Sequence, residues 1–155
     1  MLHLVIAKER AKLGDGHANF GPLPGGGASA RLHRKIGPTR AKYLFFKGEL
    51  LPASYFLAAG LVNEVALEGD LASAVERLIA KLANKSPLGL KRMKELVDEG
   101  LEQPRDVAKR NELIVSGLHA HSFDQQEGLS AFNEKRYRNF AVIVSAVCHG
   151  RVVPR

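Results

Sequence analysis

Asp15 and His17 stand two residues apart in a run that few side chains could follow, Leu13-Gly-Asp-Gly-His-Ala-Asn-Phe-Gly-Pro-Leu-Pro-Gly-Gly-Gly-Ala28. Glycine reaches backbone angles closed to bulky or β-branched residues and proline fixes its own, so this stretch sets a defined path and holds Asp15, His17 and Asn19 along it. Histidine exchanges protons near neutral pH and a carboxylate is a second proton carrier, which makes the pair a candidate for proton transfer. Further on, Pro24-Gly25-Gly26-Gly27 has the form of a turn that cradles phosphate. No Gly-Lys-Ser/Thr follows it, so a tight strand-to-helix turn is the plainer reading. His119 and His121 flank Ala120 and fall on different faces of a helix, and with no cysteine nearby and no i,i+4 partner they point to no metal site. The serines show no Gly-x-Ser-x-Gly nucleophile elbow.

The elements that must position these groups follow from local patterns. Leu2 to Ala7 is an apolar run of strand length, and Lys12-Leu13 begins a second strand that the glycines stop. From Ala28 the pattern turns helical: Arg31, Leu32, Lys35 and Ile36 recur at helix spacing up to Gly37-Pro38, and Ala41, Leu44 and Phe45 give the next helix an apolar face ending near Gly48. Pro52 suits a first helical position with Gly60 as the cap, and Leu61 to Leu67 reads as one strand. After Asp70 as N-cap, Leu71, Val75, Leu78, Ile79 and Leu82 form a helical stripe. Ser86-Pro87, Pro104 and the capping box Ser122-x-x-Gln125 open three more helices, so residues 70 to 138 read as four consecutive helices without a strand. The last fifteen residues, 141–155, form an apolar tail that reads equally as a packed strand or a disordered extension. A strand, turn and helix front followed by helices makes the chain α/β by composition.

Composition bounds the rest. The chain has 155 residues, 45% hydrophobic and 25% charged, which are ordinary globular values for one domain. Its net charge of +7 divides into +4 over residues 1–69 (nine basic, five acidic) and +3 over residues 70–155 (fourteen basic, eleven acidic). A spread excess argues against a nucleic-acid arm, which would show as a dense basic block, and suits a small polyanionic ligand better. The single cysteine, Cys148, rules out an internal disulfide and fits a reducing, cytoplasmic setting. The apolar patch after Met1 is broken by His3 and is too short for a signal core or a membrane span.

Three stretches together resemble the enoyl-CoA hydratase/isomerase (crotonase) family: the run from Leu13 to Arg34, the stretch Gly48-Glu49 to Ala59-Gly60-Leu61-Val62-Asn63-Glu64-Val65, and Glu127-Gly128-Leu129-Ser130-Ala131-Phe132-Asn133-Glu134-Lys135-Arg136. The resemblance covers about Leu2 to Phe140 and corresponds to the C-terminal half of a family member. It implies the end of the spiral core of the ClpP/crotonase fold over residues 1–69, a helical trimerisation region over 70–140, and an atypical tail over 141–155.

The resemblance also implies roles. Residues Leu23, Pro24, Gly25 and Gly26 border the acyl end of a coenzyme A thioester pocket. Lys135 matches a basic position that reaches coenzyme A phosphate, and Phe132 matches the aromatic near the adenine. The family's second catalytic glutamate, in a Gly-x-Pro-Glu motif, aligns with His17 of Gly14-Asp15-Gly16-His17, so His17 and Asp15 become the proton-transfer candidates and the sequence departs from the hydratase pattern. Both donors to the thioester oxygen and the first glutamate would lie before Met1. The expectation is therefore an N-terminally truncated family protein acting on acyl-CoA thioesters, without an oxyanion hole and with negligible hydratase activity alone. It would hold no tightly bound cofactor, coenzyme A entering only as part of the substrate. It would be a homo-oligomer, a trimer or a dimer of trimers, with no nucleic-acid or membrane partner. Two other classes stay open: a non-catalytic interaction module that assembles with full-length subunits, and a small basic protein binding nucleotide-like ligands.

Overall fold

The structure, a computed structural model, describes residues 4–140. The tail 141–155 and its Cys148 lie outside the described residues. The chain divides into two compact units, residues 1–80 and 81–155.

The first unit is built on two short strand pairs. β1 (Ile6–Lys8) runs parallel to β4 (Glu64–Ala66), in the register Ile6 to Glu64 and Lys8 to Ala66. β2 (Lys12–Gly14) is antiparallel to β3 (Leu50–Pro52), with Gly14 opposite Leu50. Between β2 and β3 lie a single 3₁₀ turn (His17–Asn19), α1 (Ala28–Ile36) and α2 (Pro38–Lys47). The two helices meet at Gly37, whose φ of 82° and extended ψ let one helix stop and the next start at Pro38. Gly48 closes α2 in the left-handed conformation, as a helix-ending glycine does, and its N–H bonds the Leu44 carbonyl at 3.2 Å. α3 (Ala53–Ala58) follows β3 directly. Ala7, Ile36, Ala41, Leu44, Ala53, Phe56, Ala59 and Val62 make one buried cluster, so strands and helices share a single small core.

Two expectations are corrected here. Leu61 to Leu67 is not one strand, because the N–H groups of Leu61 and Val62 both turn back to the Phe56 carbonyl at 2.9 and 3.1 Å, finishing α3, and only Glu64–Ala66 is left to pair with β1. Pro52 is not the first residue of a helix but the last of β3, opposite Lys12, with an extended ψ of 155°.

Beyond β4, α4 (Leu71–Ala83) crosses from the first unit into the second. The second unit continues with α5 (Pro87–Gly100), α6 (Arg105–Ala120) and α7 (Phe123–Asn133). Its helix starts match their sequence signals. The Ser86 hydroxyl accepts from the Gly89 N–H at 2.8 Å with Pro87 at the first helical position, and the Ser122 hydroxyl accepts from the Gln125 N–H at 3.3 Å. Asp124, only 3% exposed, accepts a hydrogen bond from the Ser86 hydroxyl and ties the start of α5 to the start of α7. By contrast Leu113, Ile114 and Leu118 on α6 are 74%, 56% and 62% exposed. No described helix is long and apolar enough to cross a membrane.

Candidate functional site

In the first unit, Asp15 and His17 are brought into direct contact. The His17 backbone N–H donates to Asp15 Oδ1 at 3.0 Å, the short-range turn that aspartate side chains favour, and His17 Nδ1 lies 3.0 Å from each carboxylate oxygen. An ionised carboxylate only accepts, so Nδ1 carries the proton and Nε2 is left as the basic nitrogen. The two side chains differ in exposure, 11% for Asp15 and 44% for His17.

Asp15 stands on the wall of a cavity of about 450 Å³, and His17 backs it from outside the lining. The wall is otherwise mostly apolar, with Leu13 of β2 and Phe56 of α3. Three polar groups besides Asp15 line it: Arg31 and Lys35 from α1, and Asn63, which also ties the strands by accepting from the Val5 N–H at 2.8 Å. An apolar cavity with a few placed polar groups is the common form of a small-molecule site.

The Asp15–His17 segment is fastened at both ends to the turn between α2 and β3. At one end Gly14 pairs with Leu50, so closely that a Cβ there would sit 2.2 Å from the Glu49 carbonyl oxygen. At the other, Asn19 Nδ2 donates to the Gly48 carbonyl at 2.7 Å, and a Cβ on Gly48 would come within 2.5 Å of Asn19 Oδ1. Beside this turn, Lys47 Nζ lies 2.8 Å from Glu49 Oε2 and 3.1 Å from the Tyr43 hydroxyl, and the Glu49 bond first and the Tyr43 bond second raise its pKa above the usual lysine range.

Leu23, Pro24, Gly25 and Gly26 lie on the loop before α1 and are not on the cavity wall; Leu23 is 87% exposed, and a Cβ on Gly25 or Gly26 would meet open space. Gly27, in the left-handed conformation, starts α1, and the Arg31 guanidinium folds back beside it. Reading the sequence for single motifs passed over Arg31 and Lys35 as ligand-facing groups. Their i,i+4 spacing on one helix face was the available signal.

In the second unit, Phe132 and Lys135 share a cleft of about 470 Å³ with Asn84, Arg136, Tyr137 and Arg138. Arg138 and Tyr137 are additions that the sequence reading did not single out. Arg136 forks onto both oxygens of Glu127, at 2.6 and 2.8 Å, and its Nε reaches Glu134 at 2.6 Å. The Arg136 bonds, with the Asn139 N–H at 2.7 Å as a further donor, hold the Glu127 carboxyl at about 2, and Glu127 and then Glu134 raise the arginine further.

Ser86, His119 and Asp124 also gather in this unit, but not as a nucleophile and base. The Ser86 hydroxyl donates its hydrogen bond to Asp124, and His119 Nδ1 accepts from Arg92 at 2.9 Å, so the imidazole is not available to the serine. Among the described residues no three His, Cys, Asp or Glu side chains gather to hold a metal.

Comparison with known proteins places this geometry. The family model for enoyl-CoA hydratase/isomerase matches residues 1–142. The chain is 34% identical over 135 residues to a crotonyl-CoA hydratase of Syntrophomonas wolfei, covering 87% of this chain and 52% of that protein. It is 32% identical over 127 residues to a short-chain-enoyl-CoA hydratase of Clostridioides difficile, covering 82% of each. Among solved structures, an enoyl-CoA hydratase of Bacillus anthracis superposes with a TM-score of 0.84 at 31% identity, over 88% of this chain and 53% of that one. An enoyl-CoA hydratase of Geobacillus kaustophilus gives 0.83 at 35%, over 88% and 52%. Apart from the C. difficile protein, the chain spans about half the length of these relatives.

Proposed function

The chain belongs to the enoyl-CoA hydratase/isomerase family, and from that premise we propose that it acts on acyl-CoA thioesters, with Asp15 and His17 moving the proton and Phe132 and Lys135 meeting coenzyme A. The observation that carries this is the Asp15–His17 contact. A carboxylate on the cavity wall fixes the tautomer of the imidazole behind it, so the two groups can pass one proton between cavity and solvent. Hydration of an enoyl thioester also builds negative charge on the thioester oxygen, and donors aimed at that oxygen are worth about 3 kcal/mol each. In this reading those donors and a first carboxylate are supplied from outside the 155 residues. The same reading has the protein work as a homo-oligomer, which the exposed Leu113, Ile114 and Leu118 of α6 support.

The test is hydration of crotonyl-CoA. The 155-residue chain alone should turn over negligibly, and a rate of about 10 per second or more would overturn the external origin of the donors. Mixed with a polypeptide carrying the other half of a full-length relative, it should recover activity. In that mixture Asp15→Asn and His17→Ala should each lower the rate by about 10²-fold or more. Recovery indifferent to both substitutions would remove the pair from the chemistry.

A second reading is favoured by the exposure of Leu113, Ile114 and Leu118: a non-catalytic module that assembles with full-length subunits. It requires the chain to co-elute with such subunits without changing their rate, whereas the catalytic reading requires recovered turnover.

A further inference from the structure

Lys135 is the only residue other than glycine with a positive φ among the described residues, at 54°. It sits where α7 ends. The Arg136 N–H bonds the Ala131 carbonyl at 3.0 Å and the Lys135 N–H bonds the Phe132 carbonyl at 3.3 Å, the paired bonds of a Schellman ending. In that ending the residue after the cap must turn left-handed, and glycine or asparagine is the usual choice because a Cβ is disfavoured there. This chain places a lysine at that position.

The residues around the lysine are tied down from several sides. Arg136 forks onto Glu127 on α7, its Nε holds Glu134 on one side of Lys135, and its Nη1 donates to the Tyr137 carbonyl on the other at 3.1 Å. Glu127 Oε1 also accepts the Asn139 N–H at 2.7 Å. The segment 134–139 is thereby fastened to the helix that precedes it. Since the Arg136 charge is matched by Glu127 and Glu134, the positive character of the cleft comes from Lys135 and Arg138.

We propose that Glu127 and Arg136 are positioning residues: they clamp the left-handed ending of α7 so that the Lys135 ammonium is held in the cleft beside Phe132 and Arg138 to meet a phosphate of an adenosine-bearing coenzyme. The inference deepens the coenzyme A reading of this cleft and rests on it for the identity of the ligand. With its carboxyl held at about 2 by Arg136, Glu127 stays ionised, and the clamp stays closed, through the neutral range. A side chain kept in a disfavoured backbone region by its surroundings is the pattern expected where that side chain serves a ligand.

Calorimetric titration of the whole chain with coenzyme A tests this. Lys135→Gly should raise the urea midpoint, because glycine fits the left-handed position, while weakening binding by about five-fold, the fold-change of one exposed charge pair. Glu127→Gln should weaken binding as much as the loss of the lysine. Arg136→Lys, which keeps the charge but loses the fork, should do the same and serves if the glutamine variant fails to fold. Lys109→Ala, outside the cleft, should bind as the wild type does. Binding by the wild type that Glu127→Gln and Arg136→Lys leave unchanged would overturn the clamp. If the wild type does not bind coenzyme A at all, the ligand reading fails, and the clamp is judged by the NMR backbone shifts of Lys135. Departure from the left-handed conformation in the Glu127 and Arg136 variants supports it, and retention overturns it.

Discussion

The two units solve the same problem by opposite means. In residues 1–80 the strands and helices converge on one apolar cluster in which Phe56 and Leu44 are almost wholly buried, at 2% and 1% exposed. In residues 81–155 the buried positions of the described helices are Gly89, Asp124 and Ala131, and a hydroxyl and a carboxylate tie α5 to α7. Val107, Leu113, Ile114 and Leu118 of α6 are exposed. A polar joint fixes direction and register but buries little apolar surface, and apolar burial is the main favourable term in folding. The first unit thus holds its site with its own core, while the second presents apolar surface of the kind that marks contact with another surface.

That contrast can be broken most directly at its two extremes. Phe56→Ala should destabilise the chain by about 3–5 kcal/mol in urea unfolding, whereas Leu113→Ala on α6 should change it by no more than about 0.5 kcal/mol. Equal losses would mean that the second unit depends on an apolar core after all. An intermediate effect belongs to the polar joint. Asp124→Ala strips the Ser86 hydroxyl of its acceptor and should cost about 1–3 kcal/mol, read as loss of helical circular dichroism at lower urea with the first unit's aromatic signal retained. If the replacement is neutral, Asp124 is not what joins α5 to α7.

The smallest effect is a pH dependence at Glu127. Its carboxyl is depressed in the folded chain from about 4.5 to about 2, chiefly by Arg136. A depressed acid stabilises the fold above its unfolded pKa and loses that contribution as pH falls through the folded value, so the contribution is whole above about 4.5 and fades between there and about 2. Comparison of acid unfolding for the wild type and Glu127→Gln should show the curves converging across that window. Curves that stay parallel through it would leave the Arg136 fork without energetic weight.

What was legible in the sequence is what short-range physics decides. Ser86 and Ser122 cap their helices by reaching three residues ahead, Gly48 ends α2 within its own turn, and Asp15 meets His17 two residues on. The α/β class and the crotonase-like fold were also legible, carried by the three motif stretches and matched by the superpositions. β3 was not legible, because Leu50-Leu51-Pro52 becomes a strand only by pairing with Lys12–Gly14, from Gly14 opposite Leu50 to Lys12 opposite Pro52, a segment far back along the chain. The end of α3 was legible at Gly60, which turns left-handed with a φ of 79°, but the late start of β4 was not, since Leu61 and Val62 are apolar and strand-like by type and yet give their N–H groups to the Phe56 carbonyl. The left-handed Lys135 gave no signal, since nothing in its own residue type announces that conformation. Pocket walls were legible in part: Asp15 could be named from its loop, while Arg31 and Lys35 join it only because the fold brings α1 to the cavity that Leu13 of β2 and Phe56 of α3 also line.

Gly48 is not on the wall of the cavity that Asp15 lines, yet it decides where Asp15 and His17 can be, because Asn19 is fastened to its carbonyl and leaves no room for a Cβ. The loop and the turn are therefore one transplantable part. Grafting residues 14–19 into another scaffold would carry the acid and the imidazole without the anchor that aims them, unless residues 48–50 travelled too. Within this chain the same coupling means that a bulkier residue at 48 would need a smaller one at 19 and would still have to accept the left-handed backbone that Gly48 holds.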